Sequence, residues 1–336
     1  MNILVTGANG FIGKQLCAQL LEQGHQVNAC IRKEISTKEW VSLCNETIQN
    51  AEVIFSSLKF KLCKINNIDA NTDWSSYLTN VDVIIHLAGR VHVMKETAKN
   101  PLELFRKTNV HGTINLLQAA KQNQVSQFIY LSSIKVNGEE TQPGKQFHSN
   151  DSVFPSDDYG QSKWEAEQAI KEITKNTNIN YTILRPVLVY GPGVKANFFN
   201  LLRLIKLSLP LPFKNINNSR SMIYVDNLAN LIIHTIKNKH AANETFIAAD
   251  DEAISTTKLI TLIANSMQTC IRLFYIPPQL FRILCLILPG FKKIYHRLTS
   301  NLEVDTTTLK NKLGWTSPLP IDVCIDKTLN WYNKLK

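Results

Sequence analysis

The sequence predicts an α/β fold built on a doubly wound parallel sheet. Three observations carry that prediction. Short apolar runs alternate with segments of helical spacing over roughly the first 180 residues. The runs are nearly continuous in Val, Ile and Leu, as strands buried on both faces require. The first run leads directly into a glycine turn, a helix and a second apolar run, which is a βαβ unit.

The elements follow in order. "NILVTG" (2–7) reads as a buried strand. In "GFIGKQLCAQLLEQG" (10–24), Ile12, Leu16, Leu20 and Leu21 share a helical face, and Gly24 is a stop signal. "HQVNACIR" (25–32) is the second strand, "FKLCKINNI" (60–68) the third and "VDVIIHLAG" (81–89) the fourth. The small residues closing the fourth allow backbone to pass close to a ligand. "NPLELFRKTNVHGTINLLQAAKQNQ" (100–124) is a long helix, and "VSQFIYLSSIKV" (125–136) is a fifth strand ending at Ser132 and Ser133. Ligands of such sheets bind beyond the carboxyl ends of the strands, where these motifs lie.

Gly7, Gly10 and Gly13 stand in the first turn, "TGANGFIG". Glycine permits the tight turn, close approach of backbone to a diphosphate and close helix–strand packing. The helix start then presents unpaired N–H groups to phosphate. The pattern predicts a dinucleotide site. At the end of the second strand a carboxylate would bind the adenosine ribose and favour NAD(H). This chain has Ile31, Arg32 and Lys33 there. Arg32 suits adenine stacking or a 2′-phosphate, so NADP(H) is expected over NAD(H).

"DDYGQSKWEAEQ" (157–168) places Tyr159 and Lys163 four apart at the start of a helical segment, hence on one face. An ammonium beside a phenol stabilises phenolate, so Lys163 is expected to lower the Tyr159 pKa. Such a tyrosine can exchange a proton with a carbonyl or carbinol oxygen. Ser133, at a neighbouring strand end, is the candidate to hold the same oxygen.

Composition limits the rest. The chain has 336 residues, 44% hydrophobic and 19% charged, as in ordinary globular proteins. The net charge of +10 comes from dispersed lysines and arginines, without the arginine–aromatic runs of nucleic-acid binders, so no nucleic-acid partner is expected. The seven cysteines form no CxxC pair and no metal-spaced cluster, so no metal is expected; reduced thiols in a cytoplasmic protein fit that scatter. The first apolar run begins directly after Met1, and no leader segment is expected.

Taken together, "TGANGFIG", "HLAG", "YLSSIKVNG", "YGQSK" and "LRPVLVYGPG" resemble the extended short-chain dehydrogenase/reductase family, in its nucleotide-sugar epimerase/dehydratase branch. "HLAGRVHVM" and "YGPGVKANF" are similar to a bacterial UDP-hexose 4-epimerase-like subgroup of surface-polysaccharide (O-antigen) synthesis, which includes reductases of UDP-4-keto-6-deoxy-N-acetylhexosamines. The resemblance implies a Rossmann-type sheet with a smaller C-terminal substrate-binding lobe. It divides the chain into a dinucleotide-binding domain at 1–181, with a return segment at about 222–250, and a lobe formed by 182–221 and 251–336.

The resemblance also implies roles. Gly7, Gly10, Phe11, Ile12 and Gly13 would surround the dinucleotide diphosphate, and Asn67 and Ile68 the adenine. Leu87, Ala88, Gly89 and Pro186 would line the cofactor. Asn109 would brace the active site, and Ser133, Tyr159 and Lys163 would form the catalytic trio, the last two also touching the cofactor. Arg185 and Pro186 begin the crossing to the lobe. Ser133, Lys135, Asn197 and Arg220 would meet the UDP-sugar, the last two at its diphosphate. Dehydratases of the branch carry Asp-Glu after the active-site residue; Ile134 and Lys135 stand here, which argues against 4,6-dehydration.

The expected function is hydride transfer at C4 of a UDP-hexose or UDP-N-acetylhexosamine, favoured as a 4-keto-sugar reductase. A UDP-glucose/UDP-GlcNAc 4-epimerase is the alternative, and a non-catalytic NADP-binding sensor or scaffold is the alternative of another class. A homodimer is expected. The apolar, then basic segment 277–298 is expected to be buried in the lobe or at a dimer contact, with a peripheral membrane surface as the other reading.

Overall fold

The computed structural model describes residues 1–91, 100–277 and 291–335. Seven parallel strands form the main sheet: β1 (Asn2–Thr6), β2 (Gln26–Ile31), β3 (Phe60–Lys64), β4 (Val83–His86), β5 (Gln127–Leu131), β6 (Asn180–Pro186) and, from far downstream, β9 (Glu244–Ala248). Their order is β3-β2-β1-β4-β5-β6-β9. The direction of travel reverses between β1 and β4, which opens a crevice at their carboxyl ends. Every residue of β4 and β5 is buried, as helices on both faces demand. The doubly wound parallel sheet expected from the sequence is therefore the fold.

Flanking helices are α1 (Phe11–Glu22), α2 (Thr37–Asn45), α3 (Ala51–Phe55), α4 (Pro101–Arg106), α5 (Gly112–Gln122) and α6 (Asp158–Thr174). A capping box between Ser36 and Glu39 starts α2. Trp40 of α2 meets Phe55 of α3 edge-on at 5.6 Å and Phe60 of β3 at 5.3 Å, pinning both helices over the sheet edge. Truncating such a buried aromatic costs about 3–5 kcal/mol.

Between α4 and α5 the helix does not break. Lys107–His111 forms a π turn that joins them. The extra residue widens the turn and carries Asn109 inward, where it is 1% exposed.

A second apolar cluster gathers elements beyond residue 187. They are β7 (Leu188–Tyr190), α7 (Ala196–Lys206), β8 (Met222–Tyr224), α9 (Thr256–Ser266), α10 (Phe291–Thr299) and α11 (Ile321–Lys334), while α8 (Val225–His234), which follows β8, packs Leu228, Leu231 and Ile232 into the main-sheet cluster. Strands β7 and β8 pair in parallel as a separate two-stranded sheet. Tyr190 stacks on Phe198 at 5.3 Å and meets Tyr224 edge-on at 5.6 Å. Leu302, Val304, Leu309, Leu313 and Trp315 instead pack into the cluster of the main sheet. No helix among the described residues is long and apolar enough to cross a membrane. Of the segment 277–298, residues 278–290 lie outside the described residues.

Candidate active site

The glycine turn joins β1 to α1. Gly7 has φ +68° and lies so close to the β4 end that a Cβ would sit 2.9 Å from the Ala88 nitrogen. A Cβ on Gly13 would sit 2.4 Å from the Gly7 carbonyl oxygen and 2.6 Å from that of Ala8. Side chains at either position would displace backbone. Gly10 is the N-cap of α1, and no side chain caps the helix start. Its N–H groups remain available to an anion. Phe11 and Ile12 begin the helix and are partly buried. These residues fit a dinucleotide diphosphate.

At the ends of β2 and β3 the register pairs Ile31 with Lys64. Arg32, Lys33 and Asn67 are exposed just beyond. The first carboxylate after β2, Glu34, is ion-paired with Lys64 at 2.9 Å on the surface. Ile68 packs under the start of α5, where a Cβ on Gly112 would come within 2.8 Å of its Cγ2.

Leu87, Ala88 and Gly89 follow β4, and a hydrogen-bond chain holds this wall. The Ala88 N–H donates to Thr6 Oγ1 at 3.2 Å, Thr6 Oγ1 lies 2.6 Å from His86 Nδ1, and His86 Nε2 lies 3.0 Å from Thr113 Oγ1. Thr113 in turn donates to the Asn109 carbonyl at 2.7 Å. With that donation made, Thr113 accepts from Nε2–H and Nδ1 accepts from Thr6. Burial, helped by the charge of Lys163, pushes the His86 pKa down to about 3, so the ring is neutral. Asn109 extends the bracing: its Nδ2 donates to the Arg90 carbonyl at 3.0 Å and to Ser162 Oγ at 2.9 Å, while its Oδ1 accepts the Arg90 N–H at 2.7 Å.

Asp157 caps α6 by accepting the Gly160 N–H at 2.7 Å. That cap stands two residues before Tyr159, so the helix is already formed at Tyr159 and brings Tyr159 and Lys163 to one face. Ser133, two residues past β5, lies beside the Tyr159 phenol, near enough to draw its pKa down. Phe105 of α4 meets the Tyr159 ring edge-on at 6.0 Å. Lys163 is buried; its Nζ donates to the Leu131 carbonyl at 2.7 Å and to Tyr130 Oη at 3.2 Å, and lies 4.4 Å from the Tyr130 ring centre. A Cβ on Gly89 would fall 3.5 Å from that Nζ, so the β4 wall and α6 adjoin.

The electrostatics differ from the sequence expectation. Burial raises the Tyr159 pKa to about 12; the neighbouring Ser133 hydroxyl pulls it down and the Asp157 carboxylate adds to the rise. Burial also lowers Lys163 to about 7, opposed by the Glu167 carboxylate. The expected lowering of the phenol by Lys163 is not what this geometry gives, because the ammonium is turned to Leu131 and Tyr130.

Lys135 stands beside this cluster, ion-paired with Asp157 and, at 3.1 Å, with Glu139. Pro186 is buried at the end of β6. Asn197 is exposed in the first turn of α7. Arg220 donates to the Ser300 carbonyl at 2.9 Å and to its hydroxyl at 3.1 Å, and burial lowers its pKa. Sequence reasoning missed Thr6, His86 and Thr113, and also Ser132 and Glu167. The buried histidine inside an apolar strand was the available signal. Among the described residues no group of three His, Cys, Asp or Glu side chains could hold a metal. A groove of about 760 Å³ on the outer face of α1 and α8 shares no lining residue with the candidate site.

Comparison with known proteins adds to this geometry. The chain is 35% identical over 319 residues to a UDP-glucose 4-epimerase of Vibrio cholerae, covering 94% of this chain and 91% of that one. It is 25% identical over 344 residues to the N-acetyl-alpha-D-glucosaminyl-diphospho-ditrans,octacis-undecaprenol 4-epimerase of Escherichia coli O157:H7, covering 98% and 95%. The crystal structure of a UDP-glucuronic acid 4-epimerase from Bacillus cereus in complex with NAD superposes with a TM-score of 0.77 at 22% identity, over 100% of this chain and 99% of that one. The family model of the NAD dependent epimerase/dehydratase family matches residues 3–249, and the chain belongs to that family.

Proposed function

We propose that the protein transfers hydride at C4 of a UDP-linked hexose or N-acetylhexosamine, with Tyr159 as the proton-exchanging group. The meeting of Ser133, Tyr159 and Lys163 next to Gly89, behind the glycine turn, carries this reading. Gly7, Gly10 and Gly13 would hold the diphosphate of a nicotinamide dinucleotide, which would supply or receive the hydride. The chain's own residues handle the oxygen. Tyr159 gives its phenolic proton to the C4 oxygen, and the Ser133 hydroxyl donates to the same oxygen as charge develops. Lys163, held by the Leu131 carbonyl and the Tyr130 hydroxyl, supplies positive charge at the base of the crevice, from where it offsets the charge left on the phenol. Sugar nucleotide would lie between the 1–181 and C-terminal lobes, with Asn197 and Arg220 toward its diphosphate and Lys135 at the sugar.

The finer reading is a 4-keto-sugar reductase using NADPH. The cations Arg32 and Lys33, with Glu34 drawn to Lys64, favour a phosphorylated ribose and a cofactor that is consumed. The second reading, a UDP-glucose/UDP-GlcNAc 4-epimerase with NAD, is favoured by the Vibrio cholerae and Bacillus cereus relatives. One pair of assays separates them. Purified protein is given UDP-glucose or UDP-GlcNAc without reductant, and separately a UDP-4-keto-6-deoxy-N-acetylhexosamine with NADPH. Turnover only in the second supports the reductase; epimer formation in the first overturns it. Dinucleotide binding without turnover in either would leave the sensor or scaffold reading.

A further inference from the structure

We propose that Glu167 is a positioning residue for proton transfer at C4: its buried carboxylate fastens the strand end carrying Ser133, and the exit of the chain from β6, to the helix carrying Tyr159 and Lys163. The inference rests on the C4 reading above.

Glu167 is 0% exposed and stands one helical turn beyond Lys163 on α6. Its Oε1 accepts the Ser132 hydroxyl at 2.5 Å and Arg185 Nε at 2.9 Å, and its Oε2 accepts an Arg185 terminal nitrogen at 2.6 Å. Ser132 immediately precedes Ser133, and its N–H donates to the Leu184 carbonyl of β6 at 2.7 Å. The other Arg185 terminal nitrogen donates to Asn137 Oδ1 at 3.0 Å and to the Ser149 carbonyl at 3.3 Å. Asn137 then donates to the His148 carbonyl at 3.0 Å. One carboxylate therefore fixes β5, β6 and the 134–149 wall against α6.

A buried ion pair is weak evidence for stability, because an apolar pair of similar volume serves as well. The third partner gives this pair a further role. Ser132 has its hydroxyl spent on Glu167, so the next residue along the strand end is held in one orientation toward the phenol. The same carboxylate is the anion acting on Lys163. The other titratable groups facing that ammonium are Tyr130 of β5 and neutral His86 of β4. Removing the carboxylate thus disturbs both the Ser133–Tyr159 alignment and the charge on Lys163.

Three variants test this: Ser132→Ala, Glu167→Gln and the apolar double variant Glu167→Leu with Arg185→Met. Each is measured for melting temperature, for kcat and KM with the UDP-sugar that the wild type turns over, and for the pH profile of kcat/KM. Ser132→Ala is expected to melt as the wild type does and to lose about tenfold in kcat, with KM nearly unchanged. Glu167→Gln is expected to lose more and to shift its basic limb to lower pH. The double variant is expected to recover the melting temperature without recovering kcat. Wild-type kcat in the stable double variant overturns the proposal, as does an unshifted pH profile in a folded Glu167→Gln. If Glu167→Gln does not fold, the other two variants decide. Wild-type protein inert toward every UDP-sugar would instead remove the C4 reading. Crystals of the double variant and of the wild type then decide the positioning role: the same Ser133–Tyr159 placement in both overturns it, and a displaced Ser133 upholds it.

Discussion

Lys163 Nζ donates to the Leu131 carbonyl at 2.7 Å, which places the ammonium at the base of the crevice in contact with strand β5. A cation so buried is held against its desolvation by one carbonyl, one phenol and the Glu167 carboxylate. Its pKa near 7 follows from that balance.

Stability is expected to record this. The Lys163 pKa falls from an ordinary 10.5 to about 7 on folding, so the folded state disfavours the protonated form. The cost is fully present below pH 7 and is relieved as pH rises from about 7 toward 10.5. Lys163→Met should therefore gain most in melting temperature relative to wild type near pH 6, with the gain shrinking by pH 10. A pH-independent difference between the two melting curves would contradict the burial argument.

Activity should show the same group. In the direction of reduction, proton donation needs Tyr159 protonated and Lys163 charged. Because burial holds Tyr159 near 12, the basic limb of kcat/KM is set by Lys163 and falls off above about pH 7. A limb lying near pH 10 would show that the ammonium is not required.

Tyr159→Phe keeps the ring against Phe105 and removes only the hydroxyl. Dinucleotide affinity should be unchanged, while kcat should drop by about 10²–10⁴-fold. A titration of dinucleotide fluorescence beside a turnover assay separates the two effects. Turnover at the wild-type rate would remove Tyr159 from the chemistry.

Arg32→Ala tests the cofactor. The exposed guanidinium beyond β2 is expected to contribute about 1–2 kcal/mol to a 2′-phosphate contact, so NADPH should bind about tenfold or more weakly in the variant while NADH affinity holds. Equal loss for both dinucleotides would mean that Arg32 stacks on adenine instead. No loss for either would end the case for NADP(H) built on this residue.

Gly13→Ala should abolish dinucleotide binding, because the new Cβ would stand 2.4 Å from the Gly7 carbonyl oxygen, a backbone atom that cannot swing aside. Normal binding by calorimetry in this variant would place the diphosphate somewhere other than this turn.

Much of this was readable in the chain. The strands were visible because a sheet covered on both faces needs unbroken apolar runs. Tyr159 and Lys163 were visible because a spacing of four is a helical face. The arrangements that escaped reading join residues far apart in sequence. Glu167 meets Arg185 and Ser132 only after β5, β6 and α6 pack, and nothing local marks it as more than a charge on a helix. The apolar spacing predicts uninterrupted helix across the π turn at Lys107–His111, since one extra residue in a turn leaves little trace in that spacing. The direction of the Lys163 ammonium was likewise hidden, because periodicity assigns a face and not the carbonyl that a long side chain finds.

Strand β9 supplies the outer edge of the main sheet from residues 244–248, beyond β7, α7 and β8. A growing polypeptide therefore cannot complete its nucleotide-binding layer until the intervening segments have been synthesised. Until then β6 carries an open edge with a row of unpaired amides, where strand addition by another nascent copy competes with correct closure. Maturation of this enzyme is tied to the arrival of a late segment, and slow translation just ahead of residue 244 would prolong the interval in which it is prone to self-association.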